Sequence, residues 1–86
     1  MLELDITKKA HQQLKKLDLT SRKKIINKVN GLVRDPFPPG VKKINAMHKG
    51  YRIRIGDYRV IYRILSQLQI IRVYRIDHRS KVYQNL

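Results

Sequence analysis

Hydrophobic and polar residues alternate at the start of the chain. Leu2, Leu4 and Ile6 against Glu3 and Asp5 have the period of a half-buried strand. The period then lengthens. Ala10, Leu14 and Leu17 fall at helical spacing among Lys8, Lys9, Lys15 and Lys16, which predicts a helix of about ten residues beginning near Thr7, a good N-cap. Asp18 and Leu19 read as a break. Thr20 or Ser21 is then expected to cap a second helix, whose apolar face is Ile25, Ile26, Val29, Leu32 and Val33 and which stops before Asp35-Pro36. Two amphipathic helices on so short a loop are expected to be antiparallel neighbours. The segment Asp35-Pro36-Phe37-Pro38-Pro39-Gly40 holds all three prolines and predicts a rigid connector. Beyond it the chain turns to Ile, Val, Tyr and Arg, with strands expected at about 51–55, 58–65 and 68–76 and a short one at 81–83. Gly56-Asp57 and Ser66-Gln67 are spaced as two-residue hairpin turns. The expected fold is α+β in one domain, residues 1–86: two N-terminal antiparallel helices on one face of a mainly antiparallel, roughly four-stranded sheet, in the order β-α-α-β-β-β with a short C-terminal strand.

With Gly56-Asp57 as the turn, Ile55 opposes Tyr58, Arg54 opposes Arg59, Ile53 opposes Val60 and Arg52 opposes Ile61. The alternation sorts the sheet into two faces. One carries Tyr51, Ile53, Ile55, Tyr58, Val60, Tyr62, Ile64, Ile71 and Val73, material for packing under helices. The other carries Arg52, Arg54, Arg59, Arg63 and Arg72, with Tyr74 expected opposite Arg59. Like charges directly across a ladder are unfavourable by a few tenths to about 1 kcal/mol, so the Arg54–Arg59 pair calls for an anion. A solvated, edge-protecting charged face is the plain alternative. The cations separate by type, however: mostly lysine on the helices, arginine on the strands, and arginine's planar fork matches phosphate bidentately.

Composition narrows the class. The 86 residues carry 20 Lys and Arg against 6 Asp and Glu, a formal charge of +14, with 42% hydrophobic content, enough for one small core. A chain this short has no room for a deep cofactor cleft or a second catalytic lobe. So large a charge repels itself in the compact state unless a partner neutralises it, which points to nucleic acid or an acidic protein. One Phe and no Trp argue against membrane binding. No bilayer-spanning run or signal-peptide layout is present, and the absence of Cys fits a reducing compartment, so a cytoplasmic location is expected. No histidines and acids stand at metal-ligand spacing, no Gly-rich phosphate loop or nucleophile elbow occurs, and no cofactor is expected. His11 and His48 read as incidental. Asp57 and Asp77, the only acids after residue 35, both fall near expected turns, leaving the strands beyond the proline connector without a carboxylate. Tyr74 and Tyr83 are candidates for stacking on an exposed base.

The runs Tyr51-Arg52-Ile53-Arg54-Ile55-Gly56-Asp57-Tyr58-Arg59-Val60-Ile61-Tyr62 and His78-Arg79-Ser80-Lys81-Val82-Tyr83 resemble the RelE/ParE toxin superfamily, on its RelE branch, and the likeness covers nearly the whole chain. The resemblance implies the toxin of a type II toxin-antitoxin pair, an endoribonuclease that enters the ribosomal A site and cuts messenger RNA without metal, blocked by an acidic antitoxin. Arg52 and Arg54 stand where the family places paired basic residues. Arg59 matches the arginine assigned to the scissile phosphate, Arg79 a later arginine, and Tyr83 the tyrosine that stacks on the substrate base. Lys49, Arg63, Arg72, Tyr74 and Lys81 are expected to contact the RNA. Well-studied members have lysines at the central pair, and some carry a longer C-terminal helix. Arginine cannot accept the 2′-hydroxyl proton, so Arg59, Arg54 and Arg79 are expected to supply electrostatics while His78 or an ionised Tyr83 moves the proton, or orientation by the ribosome carries much of the rate. A ParE-like, non-catalytic inhibitor of DNA gyrase and a non-enzymatic RNA- or ribosome-binding module are the competing readings.

Overall fold

The computed structural model describes residues 2–44 and 50–79. Strand β1 (Glu3–Ile6) is followed by α1 (Lys8–Lys15) and α2 (Leu19–Gly31), then β2 (Lys42–Ile44), β3 (Gly50–Ile55), β4 (Tyr58–Leu65) and β5 (Ile70–His78). The five strands form one sheet in the order β1-β5-β4-β3-β2. Every pairing is antiparallel except β1 with β5, which run parallel because the two helices lie between β1 and the rest of the sheet in sequence.

Local chemistry fixes the helix ends. The Thr7 side chain accepts the Ala10 N–H and caps α1 as the sequence predicts. The second cap differs: Asp18, not Thr20 or Ser21, accepts the Ser21 N–H and begins α2 two to three residues earlier than expected. That hydrogen bond lowers the Asp18 carboxyl below its ordinary value. Arg22 closes the gap between the helices by donating to the Lys15 and Leu17 carbonyls, at 2.9 and 3.1 Å, groups that the end of α1 would otherwise leave bare.

The core lies between the helices and one sheet face. Ala10, Leu14, Ile25, Val29 and Leu32 meet Ile53, Val60, Tyr62, Ile71, Val73 and Ile76. Ile26 points partly to solvent, so the apolar face of α2 is narrower than its sequence suggests. Tyr62 is fully buried, and its hydroxyl donates to the Pro36 carbonyl at 2.6 Å, which ties the proline connector to the middle of β4. Thr7 N–H donates to the Val73 carbonyl where the β1–β5 ladder ends, and the Gln13 side chain accepts the Ile76 N–H at 2.8 Å, anchoring α1 to the part of β5 that β1 does not reach.

Three differences from the sequence reading have local causes. Residues 42–44 form an edge strand, because Lys42, Lys43 and Ile44 pair with Arg52, Tyr51 and Gly50. Three residues just past a Pro-Gly loop are too few to show a period. Ser66-Gln67 is not a two-residue turn: Ser66–Leu68 form a 3-10 turn closed by Gln69 in the left-handed region at φ 58, so β5 begins at Ile70. β5 also runs on to His78, past the expected end at 76. The Gly56-Asp57 turn holds as expected, with Gly56 at φ 60. The expected strand at 81–83 lies outside the described residues.

Burial raises the Tyr62 hydroxyl to about 12, with Tyr51 and Asp35 adding to the effect. A folded value above the unfolded one means that stability is fully present below the unfolded tyrosine value and is lost as pH rises from about 10 to about 12. Tyr62→Phe should flatten stability against pH across that window. At pH 7 it should cost about 1–3 kcal/mol in urea denaturation, because the Pro36 carbonyl loses its donor.

Candidate anion-binding face

The β3–β4 hairpin places its charges in the predicted register: Arg54 opposes Arg59, and Arg52 opposes Ile61. The next strands extend the rows. Lys42 on β2 stands beside Arg52, Asp77 on β5 opposes Arg59, and Arg75 opposes Ile61. One row across the sheet therefore reads Arg54, Arg59, Asp77, and the next reads Lys42, Arg52, Ile61, Arg75. A third row reads Arg63, Arg72, Asp5.

A β-bulge makes the rows on β5 possible. Tyr62 pairs with Val73 but Ile61 pairs with Arg75, so Tyr74 is the extra residue. Without it, Arg75 and Asp77 would point under the helices. With it, Val73 and Ile76 both enter the core at an odd spacing, while Arg72, Tyr74, Arg75 and Asp77 share the charged face. The expected pairing of Tyr74 with Arg59 is thereby corrected. Tyr74 lies instead beside Arg63, whose guanidinium sits 6.0 Å from the ring centroid. Asp77 is likewise a strand carboxylate and not a turn residue.

The face divides electrostatically. On β5 each arginine has a carboxylate: Arg72 Nε lies 2.6 Å from Asp5 Oδ2, and Arg75 Nη2 lies 2.9 Å from Asp77 Oδ2. The bond to Asp5, with a smaller contribution from Tyr74, holds the Arg72 guanidinium above its ordinary value. Both of these ion pairs lie on the β1–β5 flank of the sheet. On the β2–β4 side, Lys42, Arg52, Arg54 and Arg59 line a concavity of about 360 Å³ with Gly40. Arg59 is 7% exposed, and its Nη1 donates to the Tyr58 carbonyl at 3.1 Å and, at 3.5 Å, to the Gly56 carbonyl. Those neutral acceptors orient the guanidinium without cancelling its charge, which leaves a desolvated cation facing three more. The arrangement suits a phosphate-sized anion.

The sequence candidates separate accordingly. Arg52, Arg54 and Arg59 converge. Arg79 is exposed, and its N–H donates to the Asp57 carbonyl at 2.8 Å, which sets it beside the same hairpin turn. Arg63, Arg72 and Tyr74 form a flanking patch, with Arg72 occupied by Asp5. His78 is not brought to the arginines. It stands opposite Tyr58 on the helical side, the two rings edge to face at 5.7 Å, and lines a separate hollow with Gln13, Lys16 and Leu17. The bulge is the reason, since it inverts the facing of every residue after Tyr74. Lys49, Lys81 and Tyr83 lie outside the described residues. Lys42 was missed with its strand. Arg75 and Asp77 were missed with the bulge, whose signal in sequence is the odd step from Val73 to Ile76. Among the described residues, no three of His, Cys, Asp and Glu cluster.

Comparison with known proteins gives this geometry its context. The family model of the ParE toxin of the type II toxin-antitoxin system parDE matches residues 4–83. The curated protein RelE1 of Methanocaldococcus jannaschii is 31% identical over 85 residues, covering 95% of this chain and 94% of its own. The toxin of the RelBE2 toxin-antitoxin complex from Mycobacterium tuberculosis superposes with a TM-score of 0.79 at 26% identity, over 90% of this chain and 96% of that one. The archaeal RelE–RelB complex from Pyrococcus horikoshii contributes a chain of the same fold, with a TM-score of 0.81 at 24% identity over 94% and 98% of the two chains. A family match over residues 4–83, a curated relative under a RelE name and the shared two-helix, five-stranded architecture make this chain a RelE-like member of the RelE/ParE superfamily of type II toxin-antitoxin toxins.

Proposed function

We propose that this toxin is an endoribonuclease that cleaves messenger RNA in the ribosomal A site, needs no metal, and so inhibits translation. The observation that carries the reading is the buried Arg59 guanidinium, aimed by backbone carbonyls into a concavity walled by Arg52, Arg54 and Lys42. Cleavage by the 2′-hydroxyl builds a dianionic phosphorane from a singly charged diester. Fixed cations in a partly dry site stabilise that added charge more than the ground state, which is the condition for acceleration. Arg59 and Arg54 would hold the phosphate, Arg52 the adjoining backbone, and Arg79 the strand beyond the hairpin turn. Arg63 and Tyr74 offer a cation and a ring to a flanking nucleotide. Tyr83, Lys49 and Lys81 remain candidates for base stacking and backbone contact. Several solved relatives are complexes with RelB, which supports an acidic cognate antitoxin as the partner that neutralises this face.

The match to a ParE family model favours a second reading, in which the same fold inhibits DNA gyrase without chemistry of its own. A translating extract separates the two. Messenger ends that map to A-site codons in the presence of EDTA are expected; DNA damage without messenger cuts would establish the ParE-like role instead, and neither would indicate a simple RNA- or ribosome-binding module. Arg59→Ala, folded by circular dichroism, should lose more than about tenfold in cleavage. The double variant Asp5→Asn, Arg72→Gln, which removes an already compensated pair, should stay within about threefold of the parent.

The antitoxin complex should also form more slowly as salt rises. With +14 on the toxin, the association rate should fall at least tenfold between about 50 and about 500 mM salt, measured by stopped flow.

A further inference from the structure

Four side chains with charge line the central concavity, and three of them are arginines. A guanidinium neither gives nor takes a proton in the working range of a protein, so Arg52, Arg54 and Arg59 supply fixed charge alone. The fourth is Lys42. It reaches the concavity from the edge strand β2, directly beside Arg52, and its ammonium carries three transferable protons. The other candidates for proton transfer stand elsewhere among the described residues. Asp77 is held by Arg75 and by the His78 N–H, and it does not line this concavity; Asp5 is held by Arg72; His78 is on the helical side.

We propose that Lys42 is the proton donor to the leaving 5′-oxygen. The inference rests on the endoribonuclease reading and adds to it an assignment of the proton. As the 2′-oxygen forms its bond to phosphorus, the bond from phosphorus to the 5′-oxygen breaks. A proton passes from Lys42 Nζ to that oxygen. The 2′-hydroxyl proton leaves to solvent water, and water returns a proton to the lysine, so the products are a 2′,3′-cyclic phosphate and a 5′-hydroxyl. Arginine at this position would keep the charge and lose the transfer.

The test uses the full-length toxin on ribosomes carrying a synthetic messenger whose cut site has been mapped. Lys42→Arg should lower the single-turnover cleavage rate about a hundredfold while leaving half-saturation nearly unchanged. The decisive substrate has sulfur in place of the leaving 5′-oxygen, because a thiolate departs without protonation. On that messenger Lys42→Arg should cut within about threefold of the parent. Equal loss on both messengers would make Lys42 a structural or binding residue and overturn the assignment, as would undiminished cutting of the ordinary messenger. If the parent toxin itself cuts no messenger, the ribonuclease reading fails first, a result visible before any variant is compared.

Discussion

The register of the β3–β4 hairpin is the constraint on which the functional face depends. Gly56, in the left-handed region, closes the turn that sets Arg54 across from Arg59. Slipping that pairing by one residue would turn one strand over, putting either Arg54 or Arg59 under the helices and taking Ile53 or Val60 out of the core. The apolar face therefore enforces a like-charge contact that the charged face would relax if it could. Burial of Ile53, Val60 and Tyr62, each worth roughly 1.5–3 kcal/mol, outweighs a repulsion of at most about 1 kcal/mol. The crowding of cations is stored in the fold, ready to be relieved by an anion.

The bulge in β5 decides how far that crowding extends. Because Tyr74 is the extra residue, Asp77 comes up beside Arg59's strand and compensates Arg75, while Asp5 on β1 compensates Arg72. The two carboxylates of the described sheet face thus lie on the β1–β5 flank, while the cations of β2, β3 and β4 crowd together on the other. An evenly cationic face would bind any polyanion along any line. Two carboxylates placed on one flank give the face a direction, and the concavity beside the hairpin becomes the place where a phosphate gains most.

Much of this was legible in the sequence, and the misses share a cause. The helices, the proline connector and the hairpin register follow from period, proline chemistry and one glycine, all local signals. Arg52, Arg54 and Arg59 were placed correctly because their facing depends only on the turn that joins their strands. Arg75 was passed over, Asp77 was expected in a turn and His78 was expected among the arginines, because the facing of all three depends on a bulge, which is settled by packing: Ile76 gains a place in the core only if the alternation breaks after Val73. Lys42 escaped notice because a three-residue edge strand has almost no pattern of its own. Its existence is decided by the partner strand, where Arg52 and Tyr51 offer a ladder.

Placing arginine at both central positions also constrains the chemistry. Guanidinium groups bring strong, geometrically fixed phosphate binding, but they hold their protons. A site made only of arginines would stabilise the phosphorane's charge while leaving the strongly basic 5′-oxygen to depart unassisted, and departure would then limit the rate. With the proposed proton donor at Lys42, an edge strand would solve this without disturbing the hairpin. β2 contributes no residue to the buried core, so its side chains can be exchanged at little cost in stability, whereas every position of β4 between Arg59 and Tyr62 is buried. On the proposed ribonuclease reading, the fold would separate the two demands on the site: fixed charge on the strands that packing holds rigid, and proton movement on the strand that packing leaves free.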